Sequence, residues 1–182
     1  KAKAPISGTQ LGYSPSYIQA KLDYVDIHGY WRHPSGGWIS LTAKEPWKIG
    51  SDSMVHSLAN ILGMASQRVL EKPYTISEYN HPYPNPFGAE AQPMLAIFGR
   101  LQGWDGIFQY SYNHYVNDFE PQAMPWCFFD LIARTDALAH FPACAAIFLR
   151  GDAKGAVQTV AAATDETTYR ERVIATRSAS FS

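Results

Sequence analysis

"KPYTISEYNHPYPNPFGAE", residues 72–90, decides how this chain is read. The segment PYTISEY (73–79) is short and rich in β-branched and aromatic residues, the composition of a buried strand. It delivers one carboxylate, Glu78, at its end. The chain then breaks into prolines, aromatics, Asn80 and His81. In parallel α/β folds, functional groups sit where strands open into the loops that lead to helices. Glu78 stands at such a place.

Working outward, three more segments read as strands: APISGT (4–9), LDYVDIHGYW (22–31) and DGIFQYSY (105–112). Helical patterns lie between them. SPSYIQAK (14–21) has Ser14 as N-cap and Pro15 at the first helical position, where its missing N–H costs nothing. SDSMVHSLANILGMASQRVL (51–70) carries Val55, Leu58, Ala59, Leu62, Ala65 and Val69 at three- and four-residue steps, which predicts a core-packing helix. GAEAQPMLAIFGRLQ (88–102) predicts a helix beginning near Gln92, because Pro93 suits a first turn. Residues 125–152 predict two helical pieces interrupted near Pro142. GAVQTVAAA (155–163) and TTYRERVIA (167–175) read as strands of an appended sheet, or as a tail leading to one.

Strands separated by helices imply βαβ units and a parallel sheet. Strand starts near 5, 23, 73 and 105 give four βα units. The expected fold class is α/β, with residues 1–150 as parallel βα units like half of a (β/α)8 TIM barrel, a fold of about 250 residues, and 151–182 as an appended β segment. An open flavodoxin-like sheet is the competing topology, but no Gly-rich phosphate loop follows any strand.

Composition narrows the function. Hydrophobic residues make up 46% and charged residues 17% of the 182, so the chain is globular rather than disordered. A net charge of −1 argues against a nucleic-acid or anionic-membrane partner. No apolar run approaches the ~20 residues of a membrane span. The opening KAKAPISGTQ has no signal-peptide apolar stretch and fits the start of a processed protein or a boundary within a longer one. Cys127 and Cys144 form no metal or redox spacing and sit among apolar residues, which predicts buried free thiols. The 25 aromatic residues include Trp31, Trp38, Trp47, Tyr83 and Tyr115 among polar neighbours. Such residues either stack on sugar rings or fold over the domain as loop packing, and the residues alone leave both open.

Three strand ends carry polar groups: His28 and Tyr30 at the first, Glu78, Asn80 and His81 at the second, and Gln109, Tyr110, Tyr112, Asn113 and His114 at the third. Glu78 has three readings. It is a structural ion-pair partner, a metal ligand, or a catalytic carboxylate. Nothing nearby has a ligand spacing such as HExxH. In retaining glycoside hydrolysis one carboxylate attacks the anomeric carbon while a second protonates the leaving oxygen. A tyrosine hydroxyl such as that of Tyr30 would keep the attacking carboxylate ionised and aimed.

In that order, YVDIHGYW, YTISEYNHP and WDGIFQYSY resemble strands six, seven and eight of the clan A retaining glycoside hydrolases, which include cellulases, mannanases and β-galactosidases. APISGTQ is similar to a strand five, and AIFLRGDAKGA to the segment that leaves the barrel for a C-terminal β-domain. The resemblance covers roughly residues 4–160. It implies Glu78 as nucleophile, with His28 and Tyr30 as the His-x-Tyr pair that orients it. It also implies Tyr110 or Tyr112 as the aromatic floor of the subsite where the bond breaks. Trp31, Trp38, Asn80, His81 and Asn113 are the further candidates for contacting a β-linked oligo- or polysaccharide.

No cofactor and no metal is implied. The clan's acid/base glutamate follows an asparagine at the end of strand four, and no Asn-Glu pair exists here. The chain therefore reads as the C-terminal half of a catalytic domain. The alternative is a carbohydrate-binding protein without turnover. A half barrel exposes strand edges, so a homodimer closing the ring is the expected assembly, with a missing N-terminal half as the other way to cover them.

Overall fold

The computed structural model describes residues 3–10, 14–36, 46–114, 120 and 123–176. Its strands are β1 (Val25–Tyr30), β2 (Ser35–Gly36), β3 (Trp47–Lys48), β4 (Tyr74–Asn80) and β5 (Gly106–Gln109). Its α-helices are α1 (Ser16–Gln19), α2 (Ala59–Ser66), α3 (Ala91–Gln102), α4 (Thr135–Leu138), α5 (Phe141–Ala145) and α6 (Glu166–Thr176). The chain is mixed α/β. Strands β1, β4 and β5 form a parallel sheet in the order β1-β4-β5, and β2 pairs with β3 as a small antiparallel ribbon.

One face of the parallel sheet carries the main core. Val25 and Ile27 of β1 and Tyr74, Ile76 and Tyr79 of β4 pack there with Ile61 and Met64 of α2, Leu95 of α3, and Trp104. Burying each large apolar side chain contributes about 1.5–3 kcal/mol. Gly29 lets α2 close on β1, since a Cβ at that position would lie 2.3 Å from Met64 Sδ. At the lower end of the sheet, Asp105 Oδ2 accepts from Tyr74 N at 2.8 Å, and Tyr74 O accepts from Asp105 N at 2.8 Å. This is the stabilising use expected of an acid at that end of a strand.

The opposite face is polar, and a break in register shapes it. Val25, Asp26 and Ile27 pair with Tyr74, Thr75 and Ile76, but His28 then pairs with Glu78. Ser77 is the extra residue of a β-bulge. Simple alternation would put Glu78 on the core face with Tyr74 and Ile76. With the bulge, Ser77 and Glu78 both contact His28 instead, on the face shared with Asp26 and Tyr30.

Several elements differ from the sequence reading. Residues 4–9 form no strand, yet Ile6 O accepts from Asp23 N at 2.9 Å and Gln10 O from His28 N at 2.8 Å, so the segment runs beside β1. Helix α1 begins at Ser16, and its N-cap is Pro15 rather than Ser14. The predicted helix over 51–70 is formed only over Ala59–Ser66. Its first turns are diverted because Glu90 takes their donors: Ser53 Oγ at 2.6 Å and the amides of Met54 and Val55 at 2.8 and 3.3 Å. Val55 and Leu62 of the predicted stripe are half exposed, and Ile61 and Met64 are buried instead.

Helix α3 starts one residue before the expected Gln92, after a 3₁₀ turn over Gly88–Glu90. Within 125–152 the helical pieces are α4 and α5, broken at Ala139 and His140, and α5 runs on into a π-helical turn over Ala146–Arg150; Pro142 sits in the first turn of α5, where it needs no donor.

The strands expected in 155–163 and 167–175 are absent. The first stretch has no regular structure, and the second lies in α6. Asp165 explains the helix, because its carboxylate accepts from Thr168 N at 2.9 Å in the manner of an N-cap. Glu166 and Arg170 add an i,i+4 ion pair. Tyr169 anchors the helix against Tyr17, with ring centroids 5.4 Å apart. No helix among the described residues is long and apolar enough to cross a membrane.

Candidate active site

Strand β1 presents Asp26, His28 and Tyr30 at alternate positions, and β4 sets Ser77 and Glu78 opposite them across the bulge. Tyr30 Oη donates to Glu78 Oε2 at 2.5 Å. His28 Nδ1 meets the same oxygen at 3.2 Å. The other ring nitrogen, Nε2, lies 3.0 Å from Ser77 Oγ. Ser77 gives its one hydroxyl proton to Asp26 Oδ2 at 2.6 Å, and Thr75 Oγ1 donates to Asp26 Oδ1 at 2.5 Å. Ser77 can therefore only accept from His28, which fixes a proton on Nε2. The contact at Nδ1 becomes a hydrogen bond to an ionised Glu78 when the ring carries both protons. Asp26 thus steadies Ser77, Ser77 steadies the imidazole, and the Tyr30 hydroxyl and the His28 ring converge on one oxygen of Glu78.

Burial and the neighbouring Glu78 carboxylate push the Tyr30 phenol far up from 10, so it stays a hydrogen-bond donor. The Glu78 side chain is 30% exposed, open enough to meet a solute. Aromatic rings wall it. Tyr30 packs edge-on to Tyr110 at 6.3 Å and to His33 at 5.3 Å, and both tyrosines lie against Phe129, at 5.0 and 5.7 Å.

Burial and Glu78 also raise the Tyr110 phenol. Tyr112 is half exposed at the same strand end, and Asn113 is half-buried beside it. Trp38 and Tyr115 lie outside the described residues. A cavity of about 260 Å³ exists elsewhere, between α3, β5 and α5, with an apolar lining that does not include Glu78.

Three expected substrate contacts are corrected. Trp31 is a core residue, 3% exposed, whose Nε1 donates to Asp52 O at 2.8 Å. Asn80, 1% exposed, is a clamp: its Nδ2 donates to Tyr110 O at 2.5 Å and Phe129 O at 2.7 Å. His81 has no exposure and sits between Tyr79 Oη and Phe87 O. Burial lowers its imidazole to about 4, so it is a neutral structural group. In each case the polar atoms are spent inside the protein and no ligand can reach them. Trp47 is partly buried against Phe128, with centroids 4.9 Å apart, which is loop packing rather than a free stacking face.

A second polar cluster adjoins the first through Tyr110. Asp130 Oδ1 lies 2.6 Å from His114 Nδ1 and accepts from His114 N at 2.9 Å; Oδ2 accepts from Cys127 N at 2.8 Å. His114 Nε2 faces Tyr110 Oη at 3.2 Å and Cys127 Sγ at 3.9 Å. Cys127 and Cys144 are both free and buried, as expected, and burial pushes the Cys127 thiol up to about 11. Of the Asp26–Ser77 relay, only the two-residue alternation of Asp26 with His28 and Tyr30 was visible as a sequence signal. Cys127 and Asp130 had none, being 13 and 16 residues from His114.

No family model, curated protein or solved structure matches this chain. What it does must be argued from the site itself.

Proposed function

We propose that this chain is the nucleophile-bearing part of a retaining β-glycosidase acting on oligo- or polysaccharide. Its parallel βα units would form the C-terminal half of a (β/α)8 barrel. One observation carries the reading: Tyr30 and His28 both address the Glu78 Oε2 atom, at 2.5 and 3.2 Å, in a half-open position walled by aromatic rings. The Tyr30 hydroxyl donating to Oε2, with the His28 ring against the same oxygen, would hold the carboxylate in a single orientation and leave Oε1 for attack on an anomeric carbon. Attack would form a C–O bond to Glu78 as the glycosidic bond breaks, and water would later release the sugar. Tyr110 and the exposed Tyr112 would stack on the sugar. Carboxylate catalysis of this kind needs no metal or cofactor.

The proton donor is a separate question. Asp26, Glu90 and Asp130 already hold two or more hydrogen bonds each. None of them is free to protonate a leaving group. The donor would be another acid, and a sugar-binding role without turnover is the second reading. A dinitrophenyl β-glycoside, whose leaving group needs little acid assistance, separates the two. Release that disappears in Glu78→Ala, with a 2-deoxy-2-fluoro glycoside labelling Glu78, supports the nucleophile. Glucan binding without release, unchanged in Glu78→Ala, refutes it.

A further inference from the structure

The His114–Cys127–Asp130 cluster takes no part in the chemistry proposed for Glu78. Its three ligand-type atoms lie within 4.8 Å of one another. The order Cys–His–Asp is that of a thiol nucleophile with its base and orienting acid. Cys127 has no exposed surface, however, so a substrate carbonyl has no approach to its sulfur. Burial of this kind suits a bound ion better than a nucleophile.

We propose that His114 Nε2 and Cys127 Sγ form a binding site for a borderline divalent cation of the Zn²⁺ class, oriented by Asp130. The donor set is right for such an ion, since imidazole and thiolate together favour zinc over the hard cations. The second shell is already built. Asp130 Oδ1, 2.6 Å from Nδ1, keeps the proton on that nitrogen and turns the Nε2 lone pair toward the sulfur. Both carboxylate oxygens are also tied to the backbone of the two ligand residues, through the amides of His114 and Cys127.

The spacing is close to what a metal requires. Zinc–nitrogen and zinc–sulfur bonds of about 2.0 and 2.3 Å at a tetrahedral angle put the ligand atoms ~3.5 Å apart. Here Nε2 and Sγ are 3.9 Å apart, so a few tenths of an ångström of closure suffices. The Tyr110 hydroxyl, 3.2 Å from Nε2, stands on the third side. The His114 side chain is 20% exposed and gives the ion its way in. On binding, the S–H bond of Cys127 is replaced by a sulfur–metal bond and the proton leaves to solvent, with no change of oxidation state.

The test uses the whole chain, reduced and stripped of metal. Titration with Co²⁺ should give a near-ultraviolet thiolate-to-cobalt band that saturates at one equivalent and is abolished by Zn²⁺. The band should vanish in Cys127→Ser, persist in Cys144→Ser, and form with 10- to 100-fold weaker affinity in Asp130→Asn. X-ray absorption of the zinc-loaded wild-type chain needs no variant, and one sulfur in the ligand shell is expected. A shell of nitrogen and oxygen alone, no cobalt–thiolate band, or a band that survives Cys127→Ser overturns the proposal. None of these measurements depends on sugar hydrolysis.

Discussion

His81 offers a test of the fold that is independent of any activity. The ring is wholly buried, with Nδ1 donating to Phe87 O at 3.3 Å and Nε2 accepting from Tyr79 Oη at 3.0 Å. A second proton would need a new acceptor at Nε2, beside the cationic Arg134, whose Nη1 already donates to His81 O at 2.5 Å. The hydrogen bond to Phe87 O and the charge of Glu90 oppose this, but desolvation dominates, so the folded imidazole titrates at about 4 against 6.5 in the open chain. Between those values the unfolded state binds the extra proton and the folded state does not. The folded state's advantage is therefore complete above pH 6.5 and is lost as pH falls toward 4.

At about 1.4 kcal/mol per pH unit over the range where only the unfolded state is protonated, this one group costs about 2.4 kcal/mol between pH 7 and pH 4.5. Urea unfolding of wild type and His81→Gln at both values measures it. Carboxylates titrate alike in the two proteins, so the difference between their pH dependences isolates the imidazole. Parallel pH profiles, or a His81 ring seen by NMR to titrate near 6.5, would refute the reasoning.

Further outcomes are expected. Tyr30→Phe removes a donor to a charged oxygen, worth about 1.5–3 kcal/mol, and should slow release from an activated aryl glycoside roughly ten- to a hundredfold; an unchanged rate shows that the phenol does not aim Glu78. Arg134→Ala leaves Asn80 Oδ1 and His81 O without their donor inside the protein, at about 1–3 kcal/mol each. Chemical denaturation should show a loss near 3 kcal/mol, and a loss under 1 kcal/mol counts against the clamp. Light scattering on the purified chain should give twice the chain mass or more if two half barrels close on one another; a stable monomer sinks that assembly.

The parallel α/β character was legible because VDIHGY and YTISEYN are rich in strand formers and are followed by helical patterns. Glu78, Tyr30 and His28 were found together because all three lie at strand ends, where local pattern and function coincide. The errors came from long-range partners. Glu90 lies 35 residues or more from the amides it captures, and no periodicity in 51–70 could report that. Asn80 and His81 look like loop ligands because a polar residue after a strand gives no sign that Phe129, Arg134 and Phe87 will enclose it. Helix α6 was misread for a local reason: the Asp165 cap outweighs a β-leaning composition.

The bulge at Ser77 makes the direction of Glu78 a matter of backbone register rather than side-chain chemistry. Replacing Ser77 would trim the relay to Asp26 but leave the carboxylate facing His28. Excising that single position would set Glu78 directly after Ile76, so strict two-residue alternation would leave its carboxylate facing His28 and only the Ser77 contacts would go. Pairing Ser77 in regular register, with the residue kept, is what would turn Glu78 toward the helices.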